Sequence, residues 1–457
     1  MAPLRTISLI LLSVYLLIIV FFLILGKGKK TVESFAIGNR EISFWGTLAA
    51  LVASFRDGAG LAVWVSLTFF FGFGSLWLTL GMSIALLLFV FIVNVVKNNS
   101  TKFRFITTSD LLQNGIGEKT SLISAIIIAF TALLYSASQL FVAGNILSIL
   151  LGIQENIGIL ITSIIIGTYL ILGGYKIVIK TDLLQWGIIM TIVILPFLMA
   201  SKLNFHTTFN NAIPEFIELG WQNKLGFAGI SFLVVLAGGD VWQRIFSARN
   251  KSVARKAFLL TIPLYFIVCI GIVLLGLTIK TILPTVEPQK AFFSLFSVNS
   301  IKPIVLAFVG IFTVAALSST LDTQSFLFAT TLTKNVIKKI DEKRFVKTTS
   351  YFIVVLFLFL SLIAFSIKNI VTFLFGAVTL ETILVPSYLL VVFFPTDVVK
   401  KHDFKICVTL GISTAFYAYL FISGAFNNIL NTVLPFCLEF VLLLAIWLYS
   451  KILTKKL

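Results

Sequence analysis

Ser54-Phe55-Arg56-Asp57-Gly58-Ala59-Gly60 lies inside an apolar segment that runs from Ile42 to Phe71. Two adjacent charges and two glycines do not belong in the middle of an ordinary membrane-spanning helix. A charge at the bilayer centre costs at least ~2.5–3.5 kcal/mol on insertion scales, so it faces a bundle interior or a water-filled cavity. Glycines let the backbone unwind, and unwound backbone at membrane depth is tolerated only where it lines a site. The stretch predicts the broken helix of a secondary transporter.

The rest of the chain supports a membrane setting. With 59% hydrophobic and 12% charged residues and a mean hydropathy of +1.07, a soluble globule is excluded. Windows of about 20 apolar residues mark thirteen spans: 7–26, 42–71, 74–96, 120–151, 156–173, 178–201, 226–248, 254–280, 302–333, 348–367, 369–394, 404–423 and 429–450. The first is too long for a signal peptide and is followed by Gly26-Lys27-Gly28-Lys29-Lys30 rather than a cleavage site, so it reads as a retained helix. The net charge of +17 has a topological origin. If the N-terminus lies outside, the inward-facing segments hold 27 of the 35 Lys and Arg, the outward-facing ones 7, and Arg56 is in the membrane. That asymmetry predicts N-out, C-in in the plasma (inner) membrane, with no nucleic-acid partner. Cys269, Cys407 and Cys437 lack metal or redox spacing, and no nucleophile–base pair or phosphate loop appears, so an enzyme is not expected. Nor does any feature call for an obligatory protein partner.

Inverted-repeat transporters place Gly- or Pro-interrupted helices at matching positions in two halves. Five spans after the first interruption comes Leu236-Ala237-Gly238-Gly239-Asp240-Val241-Trp242-Gln243-Arg244, again a glycine pair and an acid in an apolar run. The spacing predicts an all-α five-plus-five core, residues 42–201 and 226–395, with an extra helix in 1–41 and two in 396–457. The competing reading, that Gly238-Gly239 only permits close helix packing, loses weight beside the first interruption. In the outer loops 202–225 and 281–301, Pro214-Glu215-Phe216-Ile217-Glu218 suits a short helix.

The ninth span carries Ala315-Ala316-Leu317-Ser318-Ser319-Thr320-Leu321-Asp322-Thr323-Gln324. On a helix Ala316, Ser319, Thr320 and Thr323 form one stripe. Two hydroxyls and a carbonyl, with carbonyls freed by an unwound partner, make an oxygen shell for a hard monovalent cation. Hydroxyl stripes also act as helix–helix glue, but Asp322 favours a site, because a carboxylate at membrane depth needs a cation, a proton or an arginine. Asp182 suits an interfacial helix cap as well as a site. Glu381, mid-span, is a functional candidate without a definite role. Arg56 suits a salt bridge, a gate or a clamp on an anionic group.

At these residues the sequence resembles the sodium:solute symporter family, which includes proline, sialic acid, galactose/glucose and iodide carriers. The resemblance rests on Gly173-Gly174 followed by Thr181-Asp182-x-x-Gln185, on Trp242-Gln243-Arg244 before a basic loop, and on Ser318-Ser319-Thr320-Leu321-Asp322-Thr323. It implies the inverted-repeat fold first seen in a bacterial leucine transporter, and sodium-driven solute uptake by alternating access. It implies a main sodium site of the carbonyls of Phe55, Gly58 and Ala316 with the hydroxyls of Ser319 and Thr320. It matches Asp57 to an acid that proline carriers require for sodium. In relatives with a second sodium, an acid at the Asp182 position joins hydroxyls at those of Asp322 and Thr323; Asp322 departs from that pattern. One sodium or two, or a proton at Asp322 or Asp182, therefore stay open. The solute pocket would lie between the two broken helices, with Arg56, Gly58, Ala59 and Gly60 at its centre and Trp64, Gly239 and Trp242 as walls. A zwitterion such as proline or a short carboxylate fits the Arg56–Asp57 pair, whereas a sugar asks for more amides and hydroxyls. A solute sensor on the same fold, a proton-coupled carrier and a channel are the competing readings.

Overall fold

Capping residues and helix breakers set the element boundaries. The computed structural model describes residues 2–25, 31–55, 58–190, 213–299, 301–337, 341–394 and 396–454. Among them the chain is helical throughout: α1 (Ala2–Leu25), α2 (Phe44–Ser54), α3 (Gly58–Phe71), α4 (Trp77–Lys102), α5 (Glu118–Leu151), α6 (Glu155–Gly173), α7 (Tyr175–Ile189) and α8 (Trp221–Ala237). Then come α9 (Gly239–Ser247), α10 (Lys251–Ile282), α11 (Pro303–Thr331), α12 (Glu342–Ser366), α13 (Ile370–Thr382), α14 (Val385–Phe393), α15 (Asp403–Ile422) and α16 (Leu434–Thr454). Ser43 caps α2 by accepting from Gly46 N, and Asn250 caps α10 by accepting from Val253 N.

Both expected interruptions are present. The span beginning at Phe44 divides into α2 and α3, and α8 and α9 meet at Gly238 with a bend of 45°. Gly238-Gly239 is therefore a break and more than a packing contact. Between α13 and α14 the ladder is interrupted only locally, where Pro386 in the first turn of α14 has no N–H to donate, and Ile370–Phe393 runs on as one apolar span.

The expected thirteen spans correspond in order to these helices, but the number itself is not established. Ten described helices are long and apolar enough to cross a membrane, or up to eleven if the bent pair is one span. Phe44–Ser54 is too short alone, and Gly58–Lys102 passes as one helical stretch of 45 residues. The expected sixth span ends within 191–212, outside the described residues.

Helix α11 is the centre of the bundle, buried along almost its whole length from Val305 to Thr331. It packs on α5 and α7, and α1 lies across it. Such a helix needs no solvent-facing side, because it has neighbours along nearly its whole length, and its polar residues are buried with the rest. Peripheral helices expose apolar side chains instead, as with Leu17, Phe91, Ile164, Leu358 and Ile422, which suits contact with lipid tails.

Helices α4 and α8 approach closely through Gly81. A Cβ there would sit 2.0 Å from the Ala228 carbonyl oxygen and 2.2 Å from Ser231 Oγ. Gly81→Ala should therefore force the two helices apart and cost at least about 1–3 kcal/mol, as overpacking does. A clear fall in the melting temperature of the purified protein is expected; an unchanged value would show that the contact yields freely.

Outside the bundle, helix 213–217 matches the expectation for Pro214–Glu218. Glu215 Oε2 accepts from Phe73 N at 2.9 Å, and Trp77 stacks on Phe216 at 5.2 Å between ring centroids. At the end bearing the basic loops, Ile42 and Ala248 form a bridge, and Lys97 Nζ donates to Phe246 O at 2.8 Å. Arg40 adds a second donor to Phe246 O, at 3.3 Å. Two cations thus meet the carbonyl end of α9, where a helix dipole favours them.

Candidate functional site

The first break abuts α11. Phe55 closes α2 with its N–H on Leu51 O at 3.3 Å. A Cβ on Gly58 would lie 2.2 Å from Leu317 Cγ and 3.1 Å from the Thr313 carbonyl oxygen, so only glycine lets α3 start this close to α11. Arg56 and Asp57 fall outside the described residues, and with them their expected roles.

Each half-helix begins with a free backbone N–H that needs an acceptor. At the first break Ala59 N donates to Gln139 Oε1 of α5 at 3.1 Å. At the second, Gly239 N donates to Glu381 Oε1 of α13 at 3.1 Å. Glu381, a mid-span acid without a definite role in the sequence, thus sits at the positive end of α9. Gln139 carries no comparable signal in the sequence.

On α11, Ala316, Ser319 and Thr320 are buried, one turn along from the contact with Gly58. Thr320 Oγ1 has no hydrogen-bond partner. Ser319 Oγ donates to Asp182 Oδ1 at 2.7 Å, which spends its proton and leaves its lone pairs for a cation.

Beside this stripe lies a buried ion-pair network. Asp182 is not an interfacial cap: it is fully buried and bonded to Arg244 Nη2 through Oδ2 at 3.3 Å. Arg244, counted from the sequence among the basic residues facing the cytoplasm, is only 1% exposed. It also donates to Tyr175 OH at 2.9 Å, to Thr323 Oγ1 at 3.2 Å and to Ser54 Oγ at 3.3 Å. The missed signal is that Asp240 and Arg244 stand four apart on α9 and share a helix face. Asp322 belongs to the same network, accepting from Tyr169 OH at 2.8 Å, Thr181 Oγ1 at 3.2 Å and Thr323 Oγ1 at 3.3 Å.

A cavity of about 130 Å³ opens between the breaks, lined among others by Phe55, Gly60, Trp64, Thr131, Asp240 and Glu381. Of the sequence-expected solute residues, Gly60 and Trp64 reach its wall. Ala59 is held by Gln139 behind it, and Gly239 lies against Leu327 and Glu381. Trp242 points elsewhere: its Nε1 donates to Leu236 O at 2.8 Å, and its ring packs between Phe89 and Tyr388. It is a core residue because its large apolar ring finds aromatic partners on α4 and α14.

The sequence profile of the sodium:solute symporter family matches residues 35–396. The chain belongs to this family. The symporter is 26% identical to a sodium/proline symporter of Staphylococcus aureus over 364 residues, 73% of this chain and 71% of that one. Its structure resembles a sodium-coupled sialic acid symporter in a substrate-bound outward-open state, with TM-score 0.81 and 14% identity over 95% of this chain and 96% of the other. A closed nucleobase-cation-symport-1 family transporter with bromovinylhydantoin bound superposes with TM-score 0.57 at 13% identity, covering 89% and 93%. At such identities these two likenesses show the fold, a multi-pass transporter architecture. Family membership makes the symporter a secondary transporter that couples sodium to a small solute across a membrane, and neither family nor fold points to an enzyme.

Proposed function

We propose that the symporter binds sodium between the first break and α11, and carries an amino acid such as proline, or a short carboxylate, in the adjoining cavity. The ligands in this reading are the carbonyls of Phe55, Gly58 and Ala316 and the hydroxyls of Ser319 and Thr320. The observation that carries it is the unpartnered, buried Thr320 hydroxyl beside the glycine-dependent approach of α3 to α11. A buried hydroxyl without a partner costs about 1–3 kcal/mol, and a bound cation would remove that cost. The S. aureus proline symporters lend the amino acid its place in the proposal. Asp57, Asp182, Asp322 and Thr323 are the groups for coupling or a second cation. At the Asp182 position the guanidinium of Arg244 already supplies a positive charge, which favours one sodium over two. Residues 42–201 and 226–395 would form the two inverted repeats, with the N-terminus outside and the C-terminus cytoplasmic.

Thermal stability of the purified protein in sodium against equimolar potassium tests this, repeated across amino acids, short organic acids and sugars. A ligand that binds only the folded state stabilises it by mass action. A sodium-specific rise in melting temperature that one solute class deepens is expected. Equal curves in both salts would remove the sodium site from the proposal.

A further inference from the structure

The cavity holds acids where a carboxylate solute would need bases. Asp240 and Glu381 both line it, each only 6% exposed, and no described Lys, Arg or His does. Thr131 adds a second, independent pointer. Its hydroxyl is buried at 2% exposure, lines the same cavity and has no hydrogen-bond partner. A buried hydroxyl without a protein partner at a cavity wall is free to bond whatever fills the cavity, a ligand or water. Ser54, Tyr135, Ser231 and Gln324 add further polar groups to the lining, and the remainder is mostly apolar.

The wider charge balance has the same sign. Asp182, Asp240, Asp322 and Glu381 are buried in the core against the single described guanidinium of Arg244. Isolated buried carboxylates are strongly disfavoured, and each needs a cation or a proton. Sodium beside α11 supplies one charge. Asp240 and Glu381 line the cavity instead, with Gly239 N already on one oxygen of Glu381.

We infer that the solute carries an ammonium or protonated secondary amine, and that Glu381 and Asp240 recognise it, with the Thr131 hydroxyl as a further acceptor. This rests on the proposed placement of the solute in this cavity and narrows it to zwitterionic amino acids or amines. A short carboxylate without an amine would bring a third negative charge against the first two. Glu381 then has two partners: Gly239 N orients the carboxylate, and the amine meets it from the cavity. Solute binding would thereby bridge α13 to α9 at the second break.

The test uses the full-length symporter and three matched probes: L-proline, pyrrolidine and cyclopentanecarboxylate, which is proline with the ring nitrogen replaced by carbon. The remaining common amino acids extend the panel. Binding in sodium is read as a thermal shift and as sodium-dependent uptake into proteoliposomes. Amine-bearing probes should bind and cyclopentanecarboxylate should not. Glu381→Gln should raise the half-saturation for the preferred amine at least tenfold, with the sodium-only thermal shift kept; Asp240→Asn provides a second variant if the first fails to fold. Equal binding of cyclopentanecarboxylate would overturn the inference while leaving symport standing. Amine binding that is sensitive to Glu381→Gln but indifferent to sodium would support the inference and sink the sodium site. Binding of none of these amines or amino acids would overturn it.

Discussion

Arg244→Ala is expected to be among the most destabilising single changes in the membrane core. Removing one member of a buried ion pair strands the other in a low-dielectric interior, at a cost of about 3–5 kcal/mol. Here the loss is broader than a pair. The guanidinium joins Asp182 of α7, Tyr175 of the same helix, Thr323 of α11 and Ser54 of α2, so four helices, with α9, meet at one side chain. The melting temperature should fall sharply and the monodisperse fraction shrink. Arg244→Lys should recover only part, because a point-like ammonium cannot reproduce the planar fork that serves several acceptors together. Arg244→Ala combined with Asp182→Ala should be more stable than Arg244→Ala alone, since the carboxylate that the guanidinium bonds directly is removed with it. A double variant no better than the single would show that Tyr175, Ser54 and Thr323 carry the cost. An unchanged melting temperature for Arg244→Ala would mean that water reaches Asp182.

That network also marks the limit of the sequence as a guide. The breaks were legible because glycines and charges inside apolar runs violate the local rule for a spanning helix, and such violations gather at functional sites. The stripe Ala316, Ser319, Thr320 was legible because its spacing matches one helix face. Arg244 was not, because it stands five residues before Arg249 and seven before Lys251, and counting charges by segment assigns it to their side of the membrane. In the structure it lies on α9, beyond the 45° bend at Gly238, with its side chain buried. Trp242 fails in the opposite direction. Its place next to a break suggests a pocket wall, but a helix beside a cavity has a back face, and the aromatic partners lie there. Gln139 has no local anomaly to betray it: one amide of α5 becomes informative only once Ala59 N is seen to need an acceptor. Glu381 is intermediate, since its depth announced a role that only the facing Gly239 defines.

Thr320→Val separates the sodium ligand from the scaffold more sharply than any other change. The substitution keeps the branched shape and removes a hydroxyl that has no partner within the protein. In potassium the variant should be as stable as the parent or slightly more so, because an unsatisfied buried polar group is lost. In sodium the order should reverse. With one ligand missing, the half-saturation for sodium should rise at least tenfold, equivalent to about 1.4 kcal/mol of binding, and uptake at limiting sodium should collapse. Ser319→Ala cannot give so clean a result, because Ser319 also donates to Asp182, so stability and sodium affinity should fall together. Ser319→Ala with Thr320→Ala should abolish sodium-dependent uptake altogether while the protein still reaches the membrane. The opposed signs for Thr320→Val are what a packing role alone does not produce. A hydroxyl that served only as helix glue would give a variant weaker in both salts, and an unaltered half-saturation for sodium would take Thr320 out of the site.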